Sequence, residues 1–226
     1  MNWFFVKHGR EAPAFNMAFD EALLNYAGEI GVPILRFYGW SEAAASFGYF
    51  QPYEQIAGWT GLRPLIRRPT GGGLVSHLDD WTYSFVAPPE HWWHQLRAEE
   101  SYQKLHQWVS DSFAGMRLQT ELAPCAAKEA AGRCFAGPEK FDLLFGGKKI
   151  AGAAQRRNKF GLLAQGSIQA RPAGLRREDW EQGMLRSGAI LFGGEGEEFV
   201  PSPEFHKLVG TLQVEKYNLN EYNKKK

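Results

Sequence analysis

Hydrophobic and polar positions along this chain repeat with two periods. Residues 2–6 read as a short opening strand. From Phe15 onward, Ala18, Phe19, Ala22, Leu23 and Tyr26 recur at helical spacing, with Pro13 near the start and Gly31 just past the end. That pattern predicts a helix packed on a core, with Asn16, Asp20 and Glu21 placed to edge a site. β-Favouring runs at 33–40 and 43–49, divided by a polar turn, predict a hairpin. Gly48 interrupts the second run, where a ligand would lie close. Trp81, Tyr83 and Phe85 alternate in a further strand that Pro88 and Pro89 end. A helix is expected over 96–115, with Tyr102, Leu105, Val109 and Phe113 as its buried stripe. His91, His94 and His106 lie on or before it without metal-ligand spacing and read as surface or boundary residues. Residues 123–137 form a loop of small residues. Short strands follow at 143–145, 149–153 and 162–168, around turns at Gly146–Gly147 and 156–161. Helices at 178–185 and 203–212 then lead to a charged, solvated end.

Composition narrows the class. At 226 residues the chain fits one large domain, or a domain with a small appendage, and 44% hydrophobic content with 14% aromatic supports a substantial core. A formal charge of +1 argues against a broad nucleic-acid surface. No 18-residue apolar run is present, so no membrane span is expected. The first fifteen residues lack the basic, apolar and small-residue succession of a secretory signal, which makes the cytoplasm the expected location. Cys125 and Cys134 have no Cys-x-x-Cys spacing, so zinc ligation and a disulfide are both disfavoured and no metal site is expected.

Candidate chemistry gathers in two stretches. The first is Arg67 to His77, RRPTGGGLVSH. Gly71, Gly72 and Gly73 bring no side chain to a core; they suit bare amides approaching a ligand, and Arg67 and Arg68 suit an anion. A glycine-rich hairpin with two surface arginines is the plainer alternative. The run has neither the Gly-Lys-Ser/Thr ending of a P-loop nor the spacing of a dinucleotide fold, and it falls between two strands. The second stretch runs from Cys134 to Gln169, where GGKKIAGAAQ again exposes backbone between small residues. Lysines after a turn are ordinarily solvated. Cys134, with Arg133 beside it, is either a small buried hydrophobe or a thiol made reactive by a nearby cation.

Taken together, RRPTGGG with His77, the following WTYSFV, and GKKIAGAAQ resemble the signatures of the lipoate-protein ligase and octanoyltransferase superfamily. The opening APAFNMAFDEALL, ILRFYGW with FGYFQ, the run CFAGPEKFD and the ending EKYNLNEYNKKK extend the resemblance over nearly the whole chain. It is strongest to the cysteine-dependent octanoyltransferases. The resemblance implies an α+β fold, a mixed and largely antiparallel sheet flanked by helices, as in the biotin/lipoate ligase catalytic domain. It implies one such domain over 1–226, with a helical tail at 176–226 packed on it.

The implied chemistry is equally specific. Cys134 matches the nucleophile that takes an octanoyl group from acyl carrier protein as a thioester. A lysine of a lipoyl domain, such as glycine-cleavage H protein or a 2-oxoacid dehydrogenase E2, then attacks to give an amide. Lys149 matches the lysine at the acyl carbonyl. Arg67, Arg68, Thr70, Gly71, Gly72, Gly73 and His77 match the substrate loop, and Gly152 and Ala153 lie in the second signature. Asp142 either hydrogen-bonds near the site or ends a strand. Phe47, Tyr49, Phe85 and Leu163 are candidates for an apolar acyl slot, with core packing as the alternative for each. A transferase of this kind needs no cofactor, and a monomer is expected.

The rival is an ATP- and magnesium-dependent lipoate ligase, which shares the loop and the lysine. Leu78 stands where the ligases commonly carry Asp after the His, and Phe141 where they carry Asn. The ligase reading leaves Cys134 without a role and would lead one to expect an accessory C-terminal domain after residue 226, a part that some ligases carry on another polypeptide. Two further alternatives are an amidotransferase between lipoyl domains and a non-catalytic lipoyl-domain binder on the same scaffold.

Overall fold

A computed structural model describes residues 2–127 and 137–225. The chain opens with β1 (Phe4–Glu11), longer than the sequence pattern indicates, and enters helix α1 (Pro13–Ile30). Pro13 occupies the first turn of α1, where its missing N–H costs nothing. Gly31 ends the helix in the left-handed conformation at φ 73°, its N–H donating to Ala27 O. Then come β2 (Ile34–Trp40), β3 (Ala44–Phe47), the short helix α2 (Tyr53–Ala57), β4 (Leu65–Arg67), β5 (Val75–His77) and β6 (Trp81–Ala87). Helices α3 (Trp92–Gln95) and α4 (Ala98–Ala114) precede β7 (Glu121–Leu122), β8 (Leu143–Phe145), β9 (Lys148–Asn158) and β10 (Gly161–Ile168). The tail holds α5 (Arg177–Phe192), β11 (Glu197–Glu198), α6 (Pro203–Leu212), a π-helical turn at Gln213–Tyr217 and α7 (Asn220–Asn223).

Among the described residues the strands form two sheets. The larger runs β11-β1-β2-β6-β10-β9-β8-β7, parallel at β11–β1 and β1–β2 and antiparallel elsewhere. The smaller runs β4-β3-β5. Strands β2 and β3 therefore make no hairpin: β2 sits between β1 and β6, while the chain leaves the large sheet after Trp40 and pairs β3 with β4 and β5. Two adjacent β-rich runs with a polar turn between them look the same from sequence whether they pair or part.

Strand alternation sorts the large sheet into two faces. Leu35, Phe37, Trp81, Tyr83, Phe85, Leu162 and Ala164 pack with residues of α4 and α5, including Leu105, Val109, Phe113, Trp180 and Met184. The intervening residues Ile34, Tyr38, Val86 and Leu163 pack under α1 and α6. This second face also carries Arg36, Thr82, Ser84, Gln165 and Ser167, all buried. Polar side chains at alternate positions of otherwise apolar strands are the fold's main departure from a simple core. His106 departs from expectation as well: it lies on the inner side of α4 with no solvent exposure, not at a surface or boundary.

Candidate active site

The polar face of the large sheet and the small sheet enclose a cavity of about 310 Å³. Met17, Tyr38, Trp40, Thr82, Gln165 and Ser167 line it from α1 and the large sheet. Ser46, Arg68, Gly72, Gly73, Val75 and His77 line it from the small sheet and its glycine loop. Tyr102, Glu139, Lys149 and the segment Gly152–Ala154 close a third side.

Under the floor lies a fully buried ion pair. Arg36 Nη1 donates to Asp20 Oδ1 at 2.7 Å, and both side chains are fully excluded from solvent. Asp20 also accepts from Tyr38 OH, Ser84 Oγ and Gln165 Nε2. A buried carboxylate is tolerated only when its lone pairs are filled in this way. Asn16 extends the network by accepting from Arg36 Nη2 and donating to Gly39 O. These residues orient Tyr38 and Gln165 at the cavity, so Asn16 and Asp20 act from beneath it.

The glycine loop connects β4 to β5 and forms one wall. Gly72 adopts φ 80°, and its carbonyl approaches Gly48 so closely that a β-carbon at position 48 would lie 2.0 Å from the oxygen. The interruption at Gly48 thus admits another stretch of backbone, not a ligand. The two arginines hold chain. Arg68 donates to Gly71 O, Gly73 O and Ser46 Oγ. Arg67 is turned away from the cavity: its guanidinium donates to the carbonyls of Tyr49, Gln51, Tyr222, Asn223 and Lys225. Burial lowers its pKa, with Tyr222 and Tyr49 acting in the other direction. Arg67 therefore stands outside the cavity, while Arg68 is one of its lining residues. Both guanidiniums are engaged with carbonyl and hydroxyl oxygens. Thr70 is likewise internal, donating to Gln165 Oε1 at 2.7 Å, and Gly71 contributes a carbonyl to Arg68 and does not line the cavity.

His77 stacks on Trp40 with ring centroids 3.8 Å apart. Its Nδ1 lies 2.8 Å from Asp80 Oδ2, and its Nε2 lies 2.8 Å from Ser46 Oγ. Burial pushes the Asp80 carboxyl up; the adjacent His77 and hydrogen bonds from His77, Ser167 and Thr82 outweigh it and bring the pKa below the usual carboxylate value.

The opposite wall is built around Lys149. Gly146 and Gly147 turn β8 back into β9 with positive φ angles of 55° and 74°. Strand alternation leaves Lys148 exposed and carries Lys149 inward, where its side chain is 7% exposed. Lys149 Nζ lies 2.6 Å from Asp142 Oδ2, on a carboxylate with no solvent exposure. Asp142 also accepts from Tyr102 OH at 2.5 Å and from Glu139 N–H at 2.6 Å, so it stands beside the lysine and at the start of a strand. Tyr102 OH in turn accepts from Ala153 N–H. Burial, then the charge of Asp142, raises the Tyr102 pKa well above 10, which keeps the phenol protonated as a donor. A β-carbon at Gly152 would meet Lys149 Nζ at 2.9 Å, so the missing side chain there gives the ammonium its place.

The four candidates for an apolar slot do not line the cavity. Phe85 points to the α4–α5 face, Leu163 packs under α1, and Phe47 joins Ala45, Ile56 and Leu65 with Arg67 over its ring. Tyr49 lies beside Phe50 with Arg156 over its ring. Phe85 falls on the other side of its strand, Leu163 is covered by α1 on the same face, and Phe47 and Tyr49 lie beyond the cavity; the apolar lining comes from Met17, Tyr38, Trp40 and Val75 instead. Cys134 lies outside the described residues.

Residues 12–174 match the family described as the lipoyl protein ligase A/B catalytic domain. Octanoyltransferase LipM of Bacillus subtilis (strain 168) is 36% identical over 179 residues, covering 74% of this chain and 64% of that protein. Octanoyltransferase LipM of Staphylococcus aureus (strain NCTC 8325 / PS 47) is 36% identical over 180 residues, covering 74% and 65%. The chain thus spans just under two thirds of the length of these curated relatives. Among solved structures, a lipoate-protein ligase A bound with ATP superposes with a TM-score of 0.81 at 20% identity, covering 99% of both chains. The bi-partite lipoate protein ligase of Thermoplasma acidophilum superposes with a TM-score of 0.79 at 19% identity, covering 99% of this chain and 96% of that one. These likenesses establish the fold, a largely antiparallel sheet flanked by helices.

Proposed function

We propose a function from the premise that this chain belongs to the lipoyl protein ligase A/B catalytic domain family: it is an acyltransferase moving an octanoyl or lipoyl group from acyl carrier protein to a lysine of a lipoyl domain. The observation that carries this reading is the buried Lys149–Asp142 pair on the wall of the cavity. Its volume falls at the lower end of small-molecule sites, roughly 300–1,000 Å³, and its lining from Met17, Tyr38, Trp40 and Val75 suits an aliphatic chain.

Transfer proceeds in two steps through Cys134. The thiolate attacks the donor thioester carbonyl, the carbon–sulfur bond to the carrier breaks, and the carrier leaves as its thiolate, which takes up the proton that the acceptor amine later releases. The acceptor lysine's neutral amine then attacks the new thioester, giving an amide and regenerating the thiolate as the amine loses its proton. Neither step needs an external energy source. In both, Lys149 stabilises the negative charge developing on the carbonyl oxygen, aided by amides of the glycine loop. Asp142, fixed by Tyr102 and Glu139 N–H, holds the lysine aimed. In the sequence Cys134 stands five residues before Glu139, a cavity-lining residue.

The ATP-dependent ligase reading has less support, because Arg67 and Arg68 are engaged with oxygens of the protein itself. The deciding experiment incubates a purified apo lipoyl domain with the chain and octanoyl-carrier protein without ATP, and in parallel with free octanoate, ATP and magnesium. Modification from the carrier protein alone is expected. Modification only with ATP makes the chain a ligase; modification only from an already acylated lipoyl domain makes it an amidotransferase. The absence of any modification, or of a hydroxylamine-sensitive adduct, leaves a binder. The expected setting is the cytoplasm, and no described helix is long and apolar enough to cross a membrane.

A further inference from the structure

Ser46 and His77 line the cavity with Asp80 behind the imidazole, and the two-step transfer through Cys134 proposed above uses none of the three as a nucleophile or base. Strand pairing creates the arrangement. β3 and β5 run antiparallel with Ala44 opposite His77 and Ser46 opposite Val75, which sets Ser46 and His77 diagonally on one face. Ser46 Oγ lies 2.8 Å from His77 Nε2, and His77 Nδ1 lies 2.8 Å from Asp80 Oδ2. Asp80 also accepts from Thr82 Oγ1 and Ser167 Oγ, which hold it as an acceptor; His77 Nδ1 therefore carries the hydrogen and Nε2 is left to accept from the serine hydroxyl. Trp40 fixes the ring plane by stacking on it, and it donates to Thr82 Oγ1 as well. Arg68 Nη1, 3.3 Å from Ser46 Oγ, places positive charge where an alkoxide would form. Both Ser46 and His77 open onto the cavity.

We propose that Ser46, His77 and Asp80 form a nucleophilic relay that hydrolyses acyl thioesters and esters held in this cavity, an activity separate from transfer. The thioester class rests on the function proposed above; the relay itself does not. In the first half-reaction Ser46 Oγ bonds to the acyl carbon, its proton passes to His77 Nε2, and the carbon–sulfur or carbon–oxygen bond of the substrate breaks. The leaving group takes the proton from His77. In the second, His77 removes a proton from water as the water oxygen attacks the acyl-serine. The carbon–Oγ bond breaks and Ser46 recovers the proton. The sum is acyl thioester plus water giving carboxylic acid plus thiol. Asp80 orients the imidazole and stabilises its protonated form throughout.

The test treats the full chain with a fluorophosphonate probe and, separately, with p-nitrophenyl octanoate. The expected result is a covalent adduct on the peptide containing Ser46, and nitrophenolate release that, with Cys134→Ala as the background, falls about 100-fold or more on adding Ser46→Ala or His77→Gln. Release persists in Cys134→Ala. Absence of an adduct at Ser46, or release that survives Ser46→Ala in that background, overturns the relay. Release that instead disappears with Cys134→Ala belongs to turnover of a cysteine thioester and overturns it too. Should Ser46→Ala fail to fold, peptide mapping of the wild-type adduct decides alone. Neither probe requires a carrier or acceptor protein, so failure of acyl transfer to a lipoyl domain, measured in parallel, is distinguishable from failure of the relay.

Discussion

Two pairs of adjacent cations flank glycine runs in this chain, Arg67–Arg68 before Gly71–Gly73 and Lys148–Lys149 after Gly146–Gly147. In sequence they look alike. In the fold they do opposite things. Each pair sits at the end of a strand, where neighbouring residues of extended chain point to opposite sides. Arg67 gathers the carbonyls of the 49–51 turn and the C-terminal segment, and Arg68 gathers those of the glycine loop. Lys148 is solvated, and Lys149 is delivered to the cavity against a buried carboxylate. A guanidinium has five donors in a fixed fork and suits several carbonyls at once; an ammonium on a flexible stem suits a single carboxylate and a reacting oxygen. Arg67 belongs to the framework, and Lys149 carries the charge proposed for acyl transfer.

The largest effect that divides the two walls is expected from Lys149→Ala, which should slow acyl transfer about 100-fold or more, the scale for losing one oxyanion donor. Single-turnover rates on protein shown to be folded by thermal melting are the measurement. A change confined to apparent affinity would return Lys149 to a binding role. The lysine wall should also be acid-sensitive. His106 contacts Tyr102, has no hydrogen-bond partner for Nε2 among the described residues, and is lowered by burial to about 4. Its folded pKa lies below its unfolded one, so its contribution is full above pH 6.5 and declines as pH falls towards about 4. The loss approaches about 3 kcal/mol, from roughly 1.4 kcal/mol per pKa unit. Denaturant titrations at several pH values should show it, and His106→Leu should flatten the curve between these limits. An unaltered slope in that variant would mean that other groups govern acid stability.

Next in size is Arg67→Ala, which strips hydrogen bonds from a set of carbonyls and should cost about 2–3 kcal/mol of stability, as for bonds to a charged group. Residual folded protein should keep most of its transfer rate, because Arg67 does not reach the cavity. A rate loss like that of Lys149→Ala, without a loss of stability, would restore Arg67 to the substrate loop and break the comparison.

Much of this architecture was legible because periodicity and turn chemistry agree with the fold. Pro13 and Gly31 bracket α1, Gly146–Gly147 marks the β8–β9 turn, and the glycine loop does fall between two strands. Pairing was less legible, since the partners of β3 are distant in sequence and a local polar turn suggested β2. For the acyl-slot candidates the core-packing reading holds: Phe85 and Leu163 are apolar, and apolar residues fill cores before cavities. The informative signal lay elsewhere, in polar residues at alternate positions of apolar strands. Arg36, Thr82, Gln165 and Ser167 all lie on the face that carries the cavity and its supporting network. Tyr102 passed as one more residue of a helical stripe, because nothing in its own segment reveals that its hydroxyl meets Asp142 and Ala153.

Tyr102→Phe gives the smallest expected effect and the finest test of the lysine wall. The variant keeps the ring, removes the donor to Asp142 Oδ1 and leaves Ala153 N–H without its acceptor. Lys149 and Glu139 N–H still hold Oδ2, so the pair should survive with a looser carboxylate. The expected cost is about 1–2 kcal/mol in stability, with a several-fold fall in the transfer rate. A purely structural tyrosine would move only the first of these. If Lys149 depends on Asp142 for its aim, the rate should fall at every pH while apparent affinity for the donor changes little. A variant with wild-type turnover and reduced stability would assign Tyr102 to packing alone, and the lysine wall would then rest on Asp142 and Gly152.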